Sequence, residues 1–143
     1  MRLISEFGAT AEAYEPVIEY SRATFLMAEL CNLDNQINCI AKGLLKEDLL
    51  NISESDLIIH LNVLHHAGVE YDRIALNEKG SWEKYALEYL SLLRNRSKRL
   101  FFQTGNISSE NRLFPMEDSI SYIYTLLKKS GWNIKAIGAI ENF

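Results

Sequence analysis

The stretch SESDLIIHLNVLHHA, residues 53–67, decides how the whole chain is read. Leu57, Leu61, Leu64 and Ala67 keep the three- and four-residue spacing of one helix face, and Ile58, Ile59 and Val63 widen it. Ser53 or Ser55 stands where an N-cap belongs, and Gly68 comes next as a stop. The spacing predicts a helix from about Glu54 to Ala67, buried on more than one side.

Working outward, the same period recurs. From Pro16 into the forties, Tyr20, Ala23, Met27, Leu30, Ile37, Ala41 and Leu44 alternate three- and four-residue steps, and only Asp34 interrupts. One helix of about 29 residues would be about 43 Å long, against a radius of gyration of about 14–15 Å for a compact chain of this size. A break near Asn32–Asn35 is therefore expected, with Asp34 capping the second segment. After a turn-rich connection from Val69 to Gly80, Ser81 caps a helix from about Trp82 to Phe102. Trp82, Tyr85, Ala86, Tyr89, Leu92 and Leu93 line its inner face, with Leu90 and Leu100 beside them. Asn106–Leu113 reads as a polar loop. A last helix from Met116 to Lys129 turns Ile120, Ile123, Tyr124 and Leu127 inward. Its Glu117 and Asp118 at the start and Lys128 and Lys129 at the end suit the helix dipole. Only the ends alternate with period two: Met1, Leu3 and Phe7, and Trp132 through Ile140. They suggest a short paired ribbon. The expected fold is mainly α: a single-domain bundle of about five helices over residues 1–143, with that ribbon at the termini.

With 48% hydrophobic and 24% charged residues over 143 positions, the chain is globular and long enough to bury a core without metals or disulfides. The start Met1-Arg2-Leu3-Ile4-Ser5-Glu6 lacks the apolar run of a signal peptide, and no run approaches the roughly 18 residues that span a bilayer. A cytoplasmic protein that does not engage membranes is expected. Cys31 and Cys39, about 12 Å apart on a continuous helix, could not form a disulfide and read as small buried hydrophobes.

Specific chemistries find little footing. His60, His65 and His66 are the whole histidine complement, and His60 and His65 point about 140° apart on a helix, which does not suit a metal pair. Asp56, four residues before His60, could pair with it locally. No nucleophile elbow or phosphate-cradling glycine loop is present, so no catalytic residue, metal or cofactor is expected and the chain reads as a non-enzyme. Arg94, Arg96, Lys98 and Arg99, followed by Leu100-Phe101-Phe102, form the best nucleic-acid signal. On a helix, however, only Arg94 and Lys98 share a stripe. Arg94-Asn95 resembles the start of the HEPN nuclease motif, but Arg99, Leu100 and Phe101 stand where its His would be. That resemblance implies a HEPN-like helical module without nuclease activity, and makes nucleic-acid binding through residues 94–99 the alternative function.

Charge is uneven along the chain. Residues 1–72 carry 12 acidic and 4 basic side chains, and residues 73–143 carry 7 and 11. Glu54 and Asp56 suit a helix N-terminus, but Glu47, Asp48, Glu70 and Asp72 exceed what the dipole asks for. An acidic surface attracts basic partners and repels nucleic acid. A small, acidic, helical chain without a catalytic motif resembles, in profile over its whole length, the bacterial immunity proteins that neutralise nuclease toxins of contact-dependent inhibition systems. The resemblance implies a cytoplasmic inhibitor that blocks a basic toxin domain, its carboxylates imitating substrate phosphates. Glu47, Asp48, Glu54, Asp56, Glu70 and Asp72 are the candidate partner-binding residues.

Overall fold

In the computed structural model, which describes residues 2–108, 111–115 and 117–139, residues 53–67 are not a helix. Among the described residues the order is α1 (Arg2–Phe7), β1 (Ala11–Tyr14), α2 (Ile18–Leu30), β2 (Ile37–Ile40), β3 (Ile58–Leu61), α3 (Arg73–Lys79), α4 (Trp82–Arg94), β4 (Leu100–Gln103), β5 (Ile107–Ser108), β6 (Asn111–Arg112) and α5 (Ser119–Lys129). Short 3-10 turns cover Glu47–Leu50 and Leu64–His66. The mainly α expectation is thus corrected: the fold is mixed α/β, with two parallel two-stranded sheets and a small antiparallel hairpin. A short apolar run such as Leu57-Ile58-Ile59 fits either period, and β-branched side chains favour the pleated form once a partner strand exists. That partner lies about forty residues downstream, beyond the reach of any local pattern.

The chain divides into two compact units, Met1–Leu44 and Leu45–Phe143. In the first, β1 and β2 pair in parallel, Ala11 opposite Ile37 and Tyr14 opposite Ile40, and α2 is the crossover between them. The expected break after α2 is present and has a clear cause. Asn32 takes the left-handed conformation (φ 55°), and the Leu33 amide returns to the Ala28 carbonyl at 2.8 Å. Beyond the break the chain enters the strand β2 rather than a second helix, so Asp34 caps nothing helical. Ile4, Ala28, Leu33 and Ile37 form the core of this unit, with Ala9 and Ala11 packed against it.

In the second unit β3 and β4 are parallel, Ile58 opposite Leu100 and Leu61 opposite Gln103, and α3 and α4 make the crossover. Helix α4 matches the sequence reading well up to Arg94. Ser81 accepts a hydrogen bond from the Lys84 amide as its cap, and Trp82, Tyr85, Ala86, Tyr89, Leu90 and Leu93 are buried. Two indoles lock neighbouring segments, Trp82 donating to the Leu64 carbonyl at 3.1 Å and Trp132 to the Leu90 carbonyl at 3.0 Å. The expected extension of this helix to Phe102 fails because Leu100–Gln103 is the strand β4.

Other expectations are corrected more locally. α5 buries Leu126 and Leu127, while Ile120 and Tyr124 are exposed. Gly131 (φ 86°) ends it, the Trp132 amide returning to the Leu127 carbonyl. Part of the expected loop 106–113 is the β5–β6 hairpin. No terminal ribbon exists among the described residues: Arg2–Phe7 is helical and residues 132–139 form no strand, while Met1, Met116 and residues 140–143 lie outside them. Cys31 is exposed and Cys39 half-buried, so neither is a core residue.

Two of the leucines expected to face inward, Leu90 and Leu30, differ sharply. Leu90 is fully buried and Leu30 is 78% exposed. Leu90→Ala is expected to lower unfolding free energy by about 3 kcal/mol in urea titration, and Leu30→Ala to change it by less than about 0.5 kcal/mol.

Candidate functional site

The acidic residues singled out in the sequence take different local roles, and Asp72 lies against the segment that carries Glu47 and Asp48. Asp72 turns inward at the head of α3: from a left-handed backbone (φ 51°), its Oδ2 accepts from the Lys46 amide at 2.7 Å and the Tyr85 hydroxyl at 2.5 Å. Asp48 accepts the Leu45 amide at 3.0 Å and so closes the turn it begins. Glu70 lies 2.9 Å from His66 Nδ1, four residues away. Glu47, Glu54 and Asp56 are not drawn into the core. The expected local pair of Asp56 with His60 is not formed: Asp56 is exposed, whereas His60 is buried on β3.

Behind Asp72 runs a buried polar chain. Tyr85 and Tyr89 are fully buried on successive turns of α4, with ring centroids 5.8 Å apart. The Tyr89 hydroxyl lies 3.4 Å from His60 Nε2, and the His60 ring tilts against Phe102 of β4 at 5.8 Å. Burial pushes the Tyr85, Tyr71 and Tyr89 phenols far above the ordinary tyrosine range, and at Tyr85 the bond to Asp72 adds to it. Burial also holds His60 at a pKa of about 4, so its ring is neutral at pH 7. Permanently protonated phenols and a neutral imidazole suit fixed hydrogen bonding better than proton transfer. These contacts link Lys46, the start of α3, α4 and both parallel strands.

The basic cluster is also partly consumed by the fold. Arg96 donates from Nε to the Leu49 carbonyl at 2.9 Å and from its guanidinium to the Leu50 carbonyl. Arg94 lies over the Trp132 ring at 5.5 Å and donates to the Ser97 carbonyl. Lys98 and Arg99 are exposed, and their side chains carry no such bond among the described residues. Two of the four cations, Arg94 and Arg96, are thus engaged internally, which leaves Lys98 and Arg99 outward. Among the described residues no three His, Cys, Asp or Glu side chains are grouped to hold a metal ion. Nor, among them, is any helix long and apolar enough to cross a membrane.

The surface that sequence reasoning missed is α2. Its periodic stripe, Tyr20, Ala23, Met27 and Leu30, was expected to face a core but is exposed, and Ser21 and Ala28 are the buried residues. The small side chains allow close packing against β2, which leaves the large ones outside. Glu19 and Glu29 lie on the same helix, and a groove of about 490 Å³ runs beside it between Phe25, Leu26 and Cys39. The first unit carries 6 acidic and 3 basic side chains and the second 13 and 12, so the charge imbalance belongs to the first. A small-residue heptad, Ser21 to Ala28, was the sequence signal for this orientation.

No family model, curated protein or solved structure matches the chain.

His60 gives the second unit a measurable acid sensitivity. Its folded pKa of about 4 lies below the ordinary 6.5, so the unfolded chain takes up the proton first as pH falls. Stability from this group is intact above about pH 6.5 and is lost as pH falls toward 4. Between pH 7.5 and pH 5 the expected loss is about 2 kcal/mol. Urea titrations at the two pH values should show this component in the parent chain and its absence in His60→Leu.

Proposed function

We propose that this chain is a non-catalytic binding protein that neutralises a basic protein partner, as an immunity protein blocks a nuclease toxin. The observation that carries the reading is the exposed stripe Tyr20–Ala23–Met27–Leu30 on α2, with Glu19 and Glu29 on the same helix. Anchors spaced three and four residues apart are the pattern with which a helix enters a partner's groove. Tyrosine supplies large contact area at low entropy cost and concentrates binding energy. The acidic excess of the first unit matches a basic partner and would speed encounter. This placement differs from the acidic cluster expected from sequence, since Asp48, Glu70 and Asp72 already have internal partners.

The test is binding of the purified chain to a basic nuclease-toxin domain that it protects against in a growth assay, followed by surface plasmon resonance. Tyr20→Ala and Leu30→Ala are expected to weaken the complex by roughly 10- to 100-fold, mainly through faster dissociation. Glu19→Lys with Glu29→Lys should slow association and flatten its salt dependence. Binding that is indifferent to all four changes would overturn the α2 reading.

A further inference from the structure

Where the β3–β4 pairing ends, a histidine ring stands in for a backbone carbonyl. The last bond at that end runs from the Asn62 amide to the Gln103 carbonyl at 2.9 Å. Two residues on, the Gly105 amide donates to Nδ1 of His65 at 3.2 Å. An amide donor fixes the ring as the neutral tautomer, with its proton on Nε2 and its lone pair on Nδ1. Only glycine lets the ring come so near, since a Cβ on residue 105 would lie 3.3 Å from both Cδ2 and Nε2 of the ring. The His65 ring also stacks against His66, with centroids 3.9 Å apart, and His66 Nδ1 is 2.9 Å from Glu70. Among the described residues, His66 and Glu70 are the titratable groups that face His65 from its own segment. The segment across from it, residues 104–107, carries none.

We propose that this bond is an acid-opened latch, in which protonation of His65 releases β5 from the 3-10 turn Leu64–His66. A protonated ring carries N–H groups on both nitrogens, so Nδ1 would meet the Gly105 amide donor to donor and the bond must break. What the bond holds is β5, which lies against the turn, together with its partner β6. The Leu113 amide closes the base of that pair on the Asn106 carbonyl at 2.8 Å. Beyond it Phe114 is buried, stacked on Tyr122 at 4.8 Å and beside Trp82 at 6.0 Å. That anchor confines the release to the stretch between β4 and Phe114. Burial, and after it the charge on His66, hold the His65 ring below the ordinary histidine range, while Glu70 pulls the other way. The latched form therefore keeps a neutral ring at pH 7. In the open form the ring takes up a proton at about pH 6.5, as a free imidazole does, so the latch is closed above that pH and acid favours opening.

Nitrogen-15 NMR on the full chain tests this. At about pH 7.5 the His65 ring should carry its proton on Nε2, and the Gly105 and Leu113 amides should be protected from hydrogen exchange. At about pH 5.5, one unit below the free imidazole, their protection should fall by up to about tenfold after correction for intrinsic exchange. The same fall should persist in His60→Leu, which separates it from the acid sensitivity of the core. His65→Asn keeps a side-chain oxygen that can accept from Gly105 but does not titrate, and should hold protection at both pH values. His65→Leu has no acceptor and should lack that protection at both, with the α4 amides unchanged at pH 7.5. A proton on Nδ1 at pH 7.5 overturns the proposal. So does a fall in His65→Asn as large as the parent's, or parent-like protection in His65→Leu. If either variant fails to fold, the parent decides alone: Gly105 protection that does not follow the protonation of the His65 ring overturns the latch.

Discussion

The Asp72 carboxylate is the point on which the second unit turns. One oxygen accepts from the Lys46 amide at 2.7 Å and from the buried Tyr85 hydroxyl at 2.5 Å. Lys46 opens the unit, Asp72 begins α3, and Tyr85 belongs to α4. A single side chain thereby ties three segments that are far apart in sequence. Tyr85 is fully buried, so without Asp72 its hydroxyl would lose its carboxylate partner, at a cost of about 1–3 kcal/mol. From Tyr85 the contacts continue through Tyr89 to His60 and Phe102, and so reach both parallel strands. Two parallel strands alone are too few to stand in water. They persist here because α4 is held against them from one side.

The same demand for partners explains why charge was a poor guide to the surface. Turn and helix ends leave amides and carbonyls without partners, and nearby charged side chains satisfy them. Asp48 takes the Leu45 amide, Arg96 the Leu49 and Leu50 carbonyls, and Arg94 the Ser97 carbonyl. Lys46 and Lys79 both pair with Glu88, at 3.4 and 2.5 Å, and Lys79 above all holds that carboxylate below the ordinary glutamate range. Charges counted along the chain as acidic or basic faces are in large part the fastenings of the fold. What is left over is smaller and more local, as with Glu19 and Glu29 on α2, while Glu12 and Glu15 of the same unit accept from the Tyr14 hydroxyl and the Val17 amide.

Apolar surface shows the complementary pattern. In each unit the small or inward residues make the packing contacts while a row of large apolar side chains is left outside, on α2 in the first and on the β3–β4 face in the second. An apolar row that the fold does not bury is a stronger pointer to association than a scattered exposed leucine. The two rows differ in character. The one on α2 shares its helix with the exposed Glu19, Arg22 and Glu29, whereas the one on the sheet is made by Leu57, Ile59, Leu61 and Phe101.

By itself, the sequence determined the elements whose cause is local. The Ser81 cap, the inner face of α4 from Trp82 to Leu93, the break after α2 near Asn32 and the Gly131 stop all depend on residues within a few positions of one another. Tertiary structure decided the rest. Residues 53–67 carry a period that a helix and a strand both satisfy over so short a run, and only pairing with Leu100–Gln103 chose the strand. The stripe on α2 was visible, yet which side faced the core depended on how closely the helix could approach β2. Ser21 and Ala28 allowed closer contact than Tyr20 and Met27. Likewise, no spacing rule could show that Asp72 points inward, because its partners lie 26 residues before it and 13 after. Local chemistry sets where a segment begins and ends. Which face it hides is settled by contacts the segment cannot encode alone.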